Sequence, residues 1–181
     1  MITPIKFTLP EAGRDHIQGS IDAASALLEY GDFECPACGA VYPVVQAIQE
    51  HFGDNLCFAF RHFPLTNVHP HAEHAAEAAE AAGAQESFWE MHDMLFENQQ
   101  ALEDEALASY AAALGLDEVK LIREVVNGVY AGRVREDFKS GVRGGVNGTP
   151  TFFINGERYD GPRGLEPFIA AITEQTGRYA T

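Results

Sequence analysis

Glu29-Tyr30-Gly31-Asp32-Phe33-Glu34-Cys35-Pro36-Ala37-Cys38 is the stretch whose reading decides the fold. On its N-terminal side, Ser25 to Tyr30 reads as a short apolar strand that Gly31-Asp32 stops. On its C-terminal side, Val41, Val44, Val45, Ile48 and Phe52 recur at helical spacing, forming an apolar stripe. Pro36 suits the first turn of that helix, because the N–H it lacks would have no partner there. The two cysteines therefore lie between a strand and the start of a helix. Pro43 falls inside the stripe and predicts a kink, since proline removes an i to i−4 hydrogen bond.

Further out, residues 55–63 (Asn-Leu-Cys-Phe-Ala-Phe-Arg-His-Phe) are apolar and aromatic enough for a second buried strand, which Pro64 ends. Strand, helix, strand is the crossover expected of parallel pairing. Ala- and Glu-rich text from about 71 to 82, then residues 87–98, 104–114 and 117–127, predicts successive helices, with Gly83 and Gly115 as stops. A further helix is expected from Tyr130 to about Ser140. Strand texture returns at Thr151-Phe152-Phe153-Ile154, turns at Asn155-Gly156 and resumes at Glu157-Arg158-Tyr159, a hairpin. Leu165 to Gln175 closes the chain as a helix carrying Phe168, Ile169 and Ile172. The pattern is α/β with a helical insertion.

Composition narrows the function. The 181 residues suit one domain, and 46% hydrophobic with 22% charged residues is ordinary globular usage. Twelve basic against 27 acidic residues leave a net charge of −15, the opposite of the basic face that phosphate backbones require, so nucleic acid is excluded as a partner. No stretch approaches the roughly 18–20 apolar residues of a membrane span. Met1 to Pro10 lacks a basic start followed by an apolar run, so no secretory signal is visible and the expected location is cytoplasmic. Removal of a leader would make it periplasmic or otherwise extracytoplasmic. Three cysteines are too few for a disulfide-stapled fold.

Thiol–disulfide exchange needs an attacking thiolate and a second sulfur near enough to resolve the mixed disulfide, and two intervening residues in a first helical turn provide both. Helix-start N–H groups favour negative charge on the first cysteine. Cys35 is the candidate nucleophile and Cys38 the resolving partner. The same CxxC spacing suits half of a structural zinc site, although Cys57 has no cysteine near it and reads as a core strand residue. His69, His71 and His74 are the only sequence candidates for a metal cluster, and they read instead as an exposed helix start; no metal is assigned. Glu29, in a buried strand, is either edge-exposed or functional, for example as a carboxyl that takes and returns the proton of Cys38. Thr149-Pro150 precedes a buried strand. A cis bond there would leave the backbone of Thr149 to pair with an extended peptide, whereas a trans bond would make it an ordinary loop.

With these residues in place, the chain resembles the DsbA-like disulfide oxidoreductases of the thioredoxin superfamily, in the bacterial branch whose motif reads E-Y-G-D-F-E-C-P-x-C. The likeness continues through Phe60-Arg-His-Phe-Pro-Leu65, His69-Pro-His71, Phe88-Trp-Glu-Met-His92, Leu95-Phe96 and Gly148-Thr-Pro-Thr-Phe-Phe-Ile-Asn-Gly156, about residues 20–175. It implies a thioredoxin fold over 1–181 as a single domain, with a helical insertion at about 67–140. It also implies a redox-active Cys35–Cys38 pair, a buried acid at Glu29, and a cis Pro150 that with Thr149 and Phe33 binds substrate. Implied partners are protein thiol or disulfide substrates and an unidentified redox partner, and no cofactor is implied. Strongly oxidising members place His between the cysteines, where this chain has Ala37, so its thiolate is expected to be less stabilised. Two other functions stay open: a kappa-type glutathione transferase or isomerase, a class that has Ser where Cys35 stands, and a non-enzymatic zinc module built on the CxxC.

Overall fold

A computed structural model of the chain describes residues 8–179. Among the described residues the elements run β1 (His16–Gln18), β2 (Ser25–Gly31), α1 (Pro36–Phe52), β3 (Leu56–His62), α2 (Ala72–Gly83), α3 (Phe88–Glu97), α4 (Asp104–Ala113) and α5 (Glu118–Val126). They continue with α6 (Ala131–Arg143), β4 (Thr151–Ile154), β5 (Glu157–Tyr159) and α7 (Leu165–Tyr179).

The strands form one sheet in the order β1-β3-β2-β4-β5. β2 is the middle strand, and Leu27, Leu28 and Tyr30 are wholly buried, as the near-continuous apolar text of a strand covered on both faces requires. β4 runs antiparallel to β2, with Tyr30 opposite Thr151 and Glu29 opposite Phe152. Asn155 (φ 49°) and Gly156 (φ 85°) adopt the left-handed backbone that a tight two-residue hairpin needs. Asn155 Oδ1 also accepts from the Ala26 N–H at 2.8 Å, which ties the turn to the start of β2.

Nothing in the sequence signalled β1. It pairs antiparallel with β3, His16 opposite Phe60 and Gln18 opposite Phe58. Gly19 follows at φ 80°, where a Cβ would stand 2.1 Å from the Leu56 carbonyl oxygen, so only glycine lets the chain leave β3 this closely. α1 runs unbroken through Pro43, which is exposed.

The described residues divide into two compact units, one of 8–31, Ala40–Arg61 and 140–179, the other of Asp32–Gly39 and His62–Lys139. The cysteine motif thus groups with the helices of the second unit. In the first unit α7 packs on β2 and β4. Phe168 stands edge-on to Phe152 with ring centroids 5.0 Å apart, and Leu27, Leu28, Ile48, Phe60 and Ile172 complete the core. Burial of each such side chain stabilises by about 1.5–3 kcal/mol. In the second unit α2 packs against α3, α4 and α5. Its buried alanines, Ala72, Ala75, Ala76, Ala78, Ala79, Ala81 and Ala82, explain how one helix meets three neighbours, because short side chains let axes approach closely.

Candidate active site

Cys35 occupies the N-cap of α1. Its carbonyl accepts the Gly39 N–H at 3.1 Å, the first intrahelical bond, and its own N–H donates to the Asp32 carbonyl at 3.1 Å. The positive end of the helix dipole favours negative charge on its side chain. Cys35 is 6% exposed and Cys38, one turn inside, is 0% exposed. Both cysteines are buried, and the one at the helix start is the less so, the order an attacking and a resolving thiol require.

Asp32 organises the loop before Cys35. Its carboxylate accepts the Glu34 N–H at 2.8 Å through Oδ1, and through Oδ2 the Leu65 N–H and the His69 Nδ1–H, each at 2.8 Å. Glu34 in turn accepts the His71 N–H at 2.7 Å. Burial by itself would lower the His69 pKa, but the hydrogen bond and charge of Asp32, followed by the charges of Cys35 and Glu34, outweigh it and raise the value above 6.5. From the turn that follows α3, Gln99 Nε2 donates to the Phe33 carbonyl at 2.7 Å and the Cys35 carbonyl at 2.9 Å. Phe33 is 1% exposed, its ring 4.9 Å from Phe96 and 5.6 Å from His92. Phe33, the ring expected to touch substrate, is packed under the loop against His62 of β3 and His92 and Phe96 of α3.

The histidines at 69, 71 and 74 do not gather: His69 goes to Asp32 and His74 to Asp104. Three metal-capable groups meet elsewhere, at buried His62, Glu80 and Asp137. Their donors are already engaged. His62 Nε2 shares a hydrogen bond with Glu80 at 2.8 Å, and Asp137 accepts the His62 N–H at 3.1 Å while pairing with Arg133. A guanidinium beside the carboxylate supplies the positive charge that a cation would bring, so the cluster is already an ion-paired network.

In the first unit Glu29 is 3% exposed, on the middle strand rather than an edge. Its Oε1 lies over Gly31, 3.2 Å from where a Cβ would stand. The Thr149–Pro150 peptide bond is cis. Thr149 is half-buried, and the Pro150 carbonyl accepts from Arg163 at 3.1 Å. A polar cavity of about 200 Å³ adjoins this turn, lined among others by Thr149, Pro150, Arg158 and Arg163. Sequence reasoning also missed a buried ion pair. Arg61 Nη2 lies 2.7 Å from Asp15 Oδ2, and Arg61 Nη1 donates to the Tyr30 hydroxyl at 2.8 Å.

A cysteine pair capping the helix that follows the central strand, together with a cis proline entering the next strand of the sheet, defines the thioredoxin class. The profile of the thioredoxin family matches residues 11–174, and the chain belongs to that family. Part of the Na(+)/H(+) antiporter NhaA 1 of Salinispora arenicola is 45% identical over 160 residues, 88% of this chain and 24% of that protein. The chain therefore spans about a quarter of the length of the curated relatives it matches. Among solved structures, oxidised BdbD from Bacillus subtilis superposes with a TM-score of 0.85 at 22% identity, covering 94% of this chain and 97% of that one. Alpha-DsbA1 of Wolbachia pipientis gives 0.81 at 22% identity, covering 97% of each. The fold is the DsbA type, α/β with helices inserted into a thioredoxin sheet. Among the described residues no helix is long and apolar enough to cross a membrane.

Proposed function

We propose that the chain exchanges disulfides with protein substrates through Cys35 and Cys38. The observation that carries this reading is the N-cap position of Cys35, with Cys38 buried one turn behind it. The Cys35 thiolate attacks one sulfur of a substrate disulfide, forming a mixed disulfide and releasing the other substrate sulfur as a thiolate. Cys38, once deprotonated, attacks Cys35 Sγ and expels the second substrate thiolate. The substrate gains two electrons and the Cys35–Cys38 pair becomes a disulfide; the reverse sequence oxidises a substrate dithiol. Glu29 is the candidate proton carrier for the resolving thiol, its burial matching that role. Thr149 and Pro150 are the candidate docking edge for an extended peptide. Direction follows from the reduction potential measured against the thiol pool, and so does the compartment that suits the protein.

The decisive experiment is trapping. Cys38→Ser is expected to accumulate mixed disulfides with a model protein disulfide, and Cys35→Ser is not. Faster alkylation of Cys38 than of Cys35 at neutral pH would overturn the assignment. Copurification of about one zinc per chain would replace it with the structural zinc reading. Activity confined to glutathione conjugation would favour the kappa-type reading.

A further inference from the structure

We propose that His69, held by Asp32, supplies the positive charge that stabilises the Cys35 thiolate in place of a histidine between the cysteines. The inference deepens the disulfide-exchange reading and rests on it. Position 37 is an exposed alanine and offers neither donor nor charge. The motif also places two acids beside the nucleophile, Asp32 three residues before it and Glu34 immediately before it. Two carboxylates so near would oppose a second negative charge and favour the neutral thiol. Both are tied down in the fold. Glu34 accepts the His71 N–H, and Asp32 takes the Glu34 and Leu65 N–H groups and the His69 imidazole. A protonated His69 cancels one of the two negative charges in the loop, leaving the helix N-terminus to act on Cys35 against the other.

With Nδ1 donating to Asp32, the ring keeps the tautomer in which protonation occurs at Nε2, and its side chain is 17% exposed, so protons exchange with solvent. His69 and Cys35 are both held by Asp32, the ring through Nδ1 to Oδ2 at 2.8 Å and the Cys35 N–H to the carbonyl at 3.1 Å, so ring and thiol share one anchoring residue, with Glu34 between Asp32 and Cys35 on the same loop. Asp32 and Glu34 favour the imidazolium throughout, and Cys35 favours it once ionised. Attraction between His69 and the Cys35 thiolate is mutual: whatever His69 contributes to thiolate formation, thiolate formation returns to His69 as an increased proton affinity. His69 is a positioning residue here, acting on Cys35 through charge.

The test has two parts. In the wild-type protein, the His69 ring proton resonance is titrated in the reduced and in the disulfide form. Its midpoint is expected to be higher in the reduced form, and coincident midpoints would overturn the inference. In variants, alkylation of Cys35 is followed against pH. His69→Asn should move the thiolate midpoint upward, slow alkylation below that midpoint by ~3-fold or more, and shift the glutathione equilibrium toward the disulfide by a similar factor. His69→Lys, which restores a positive charge without the imidazole, should recover most of the rate. Wild-type midpoints and rates in a folded His69→Asn would overturn the inference, and the titration gives the answer if that variant does not fold. Cys38→Ser trapping separates the two readings. Trapping with coincident His69 midpoints removes only the role of His69, whereas absent trapping with separated midpoints removes disulfide exchange and leaves the electrostatic coupling.

Discussion

Gln99 fills the space that a side chain at residue 39 would need: a Cβ on Gly39 would stand 2.0 Å from Gln99 Oε1. The same amide donates to the carbonyls of Phe33 and Cys35. Gly39→Ala therefore pushes the Gln99 amide out of its place and strains both bonds. The expected loss is about 1–3 kcal/mol of stability together with a looser cysteine loop. Gln99→Ala should cost a similar amount, and the double variant should cost much less than the sum, because both changes remove the same contacts. Urea denaturation of the three variants checks this. Additive costs would mean that the two residues do not share one interaction.

Asp15 and Arg61 form a pair whose side chains are 0% and 1% exposed. Asp15→Asn leaves a buried guanidinium with its Tyr30 and Leu9 partners but no counter-charge, at an expected cost of about 3–5 kcal/mol. Burial alone would raise the Asp15 pKa. The hydrogen bond and charge of Arg61, helped by Arg14 and the Glu11 N–H, outweigh it and hold the carboxyl below its ordinary 3.8. A lowered acid contributes stability that is complete above the unfolded value and disappears as pH falls through the folded one. Denaturant midpoints should thus converge for wild type and Asp15→Asn as the solution is acidified below 3.8, and stay apart at neutral pH.

Cys57 is 1% exposed, and its pKa is pushed up to about 11 by burial and then by the charge of Asp15. Alkylation of the native reduced protein at neutral pH should leave Cys57 unmodified, while unfolding should expose three reactive thiols. Peptide mass spectrometry decides it. Labelling of native Cys57 at the rate of Cys35 would contradict its place in β3.

Ala37 is exposed, so Ala37→His has room for its ring beside the reactive loop. An added donor and, when protonated, an added charge favour the thiolate over the disulfide, and the pair should become more oxidising by tens of millivolts, since about 30 mV corresponds to 1.4 kcal/mol. Glutathione equilibration measures the potential and thiolate absorbance the Cys35 pKa. Both should move, potential up and pKa down. A fall in pKa with an unchanged potential would show that thiolate stability does not set the poise.

The elements flanking the cysteines were legible because each carries a local signal: apolar runs for β2 and β3, a helical stripe for α1, Asn155-Gly156 for the hairpin. β1 was not, since His16-Ile17-Gln18 has no period and owes its conformation to pairing with β3. In the site, Cys35 and Cys38 were plain from spacing. Asp32 stood in the motif, but its donors lie at Leu65 and His69, and Gln99 reaches Cys35 across 64 residues of sequence. Contacts of that kind are set by packing and leave no local trace. The polar text around His69, His71 and His74 carried the signature of a helix start, which hid the different partner each histidine takes.

The distance in sequence between Cys35 and the amide that braces its loop also has a meaning for the chain as it is made. At roughly 5–20 residues per second, the ribosome needs roughly 3–13 s after adding Cys35 to add Gln99, 64 positions later. Throughout that interval the loop has neither its Gln99 brace nor, for the first part, the Leu65 and His69 donors that anchor Asp32. The first turn of α1 is thus fixed by residues that do not yet exist when the helix itself has been synthesised.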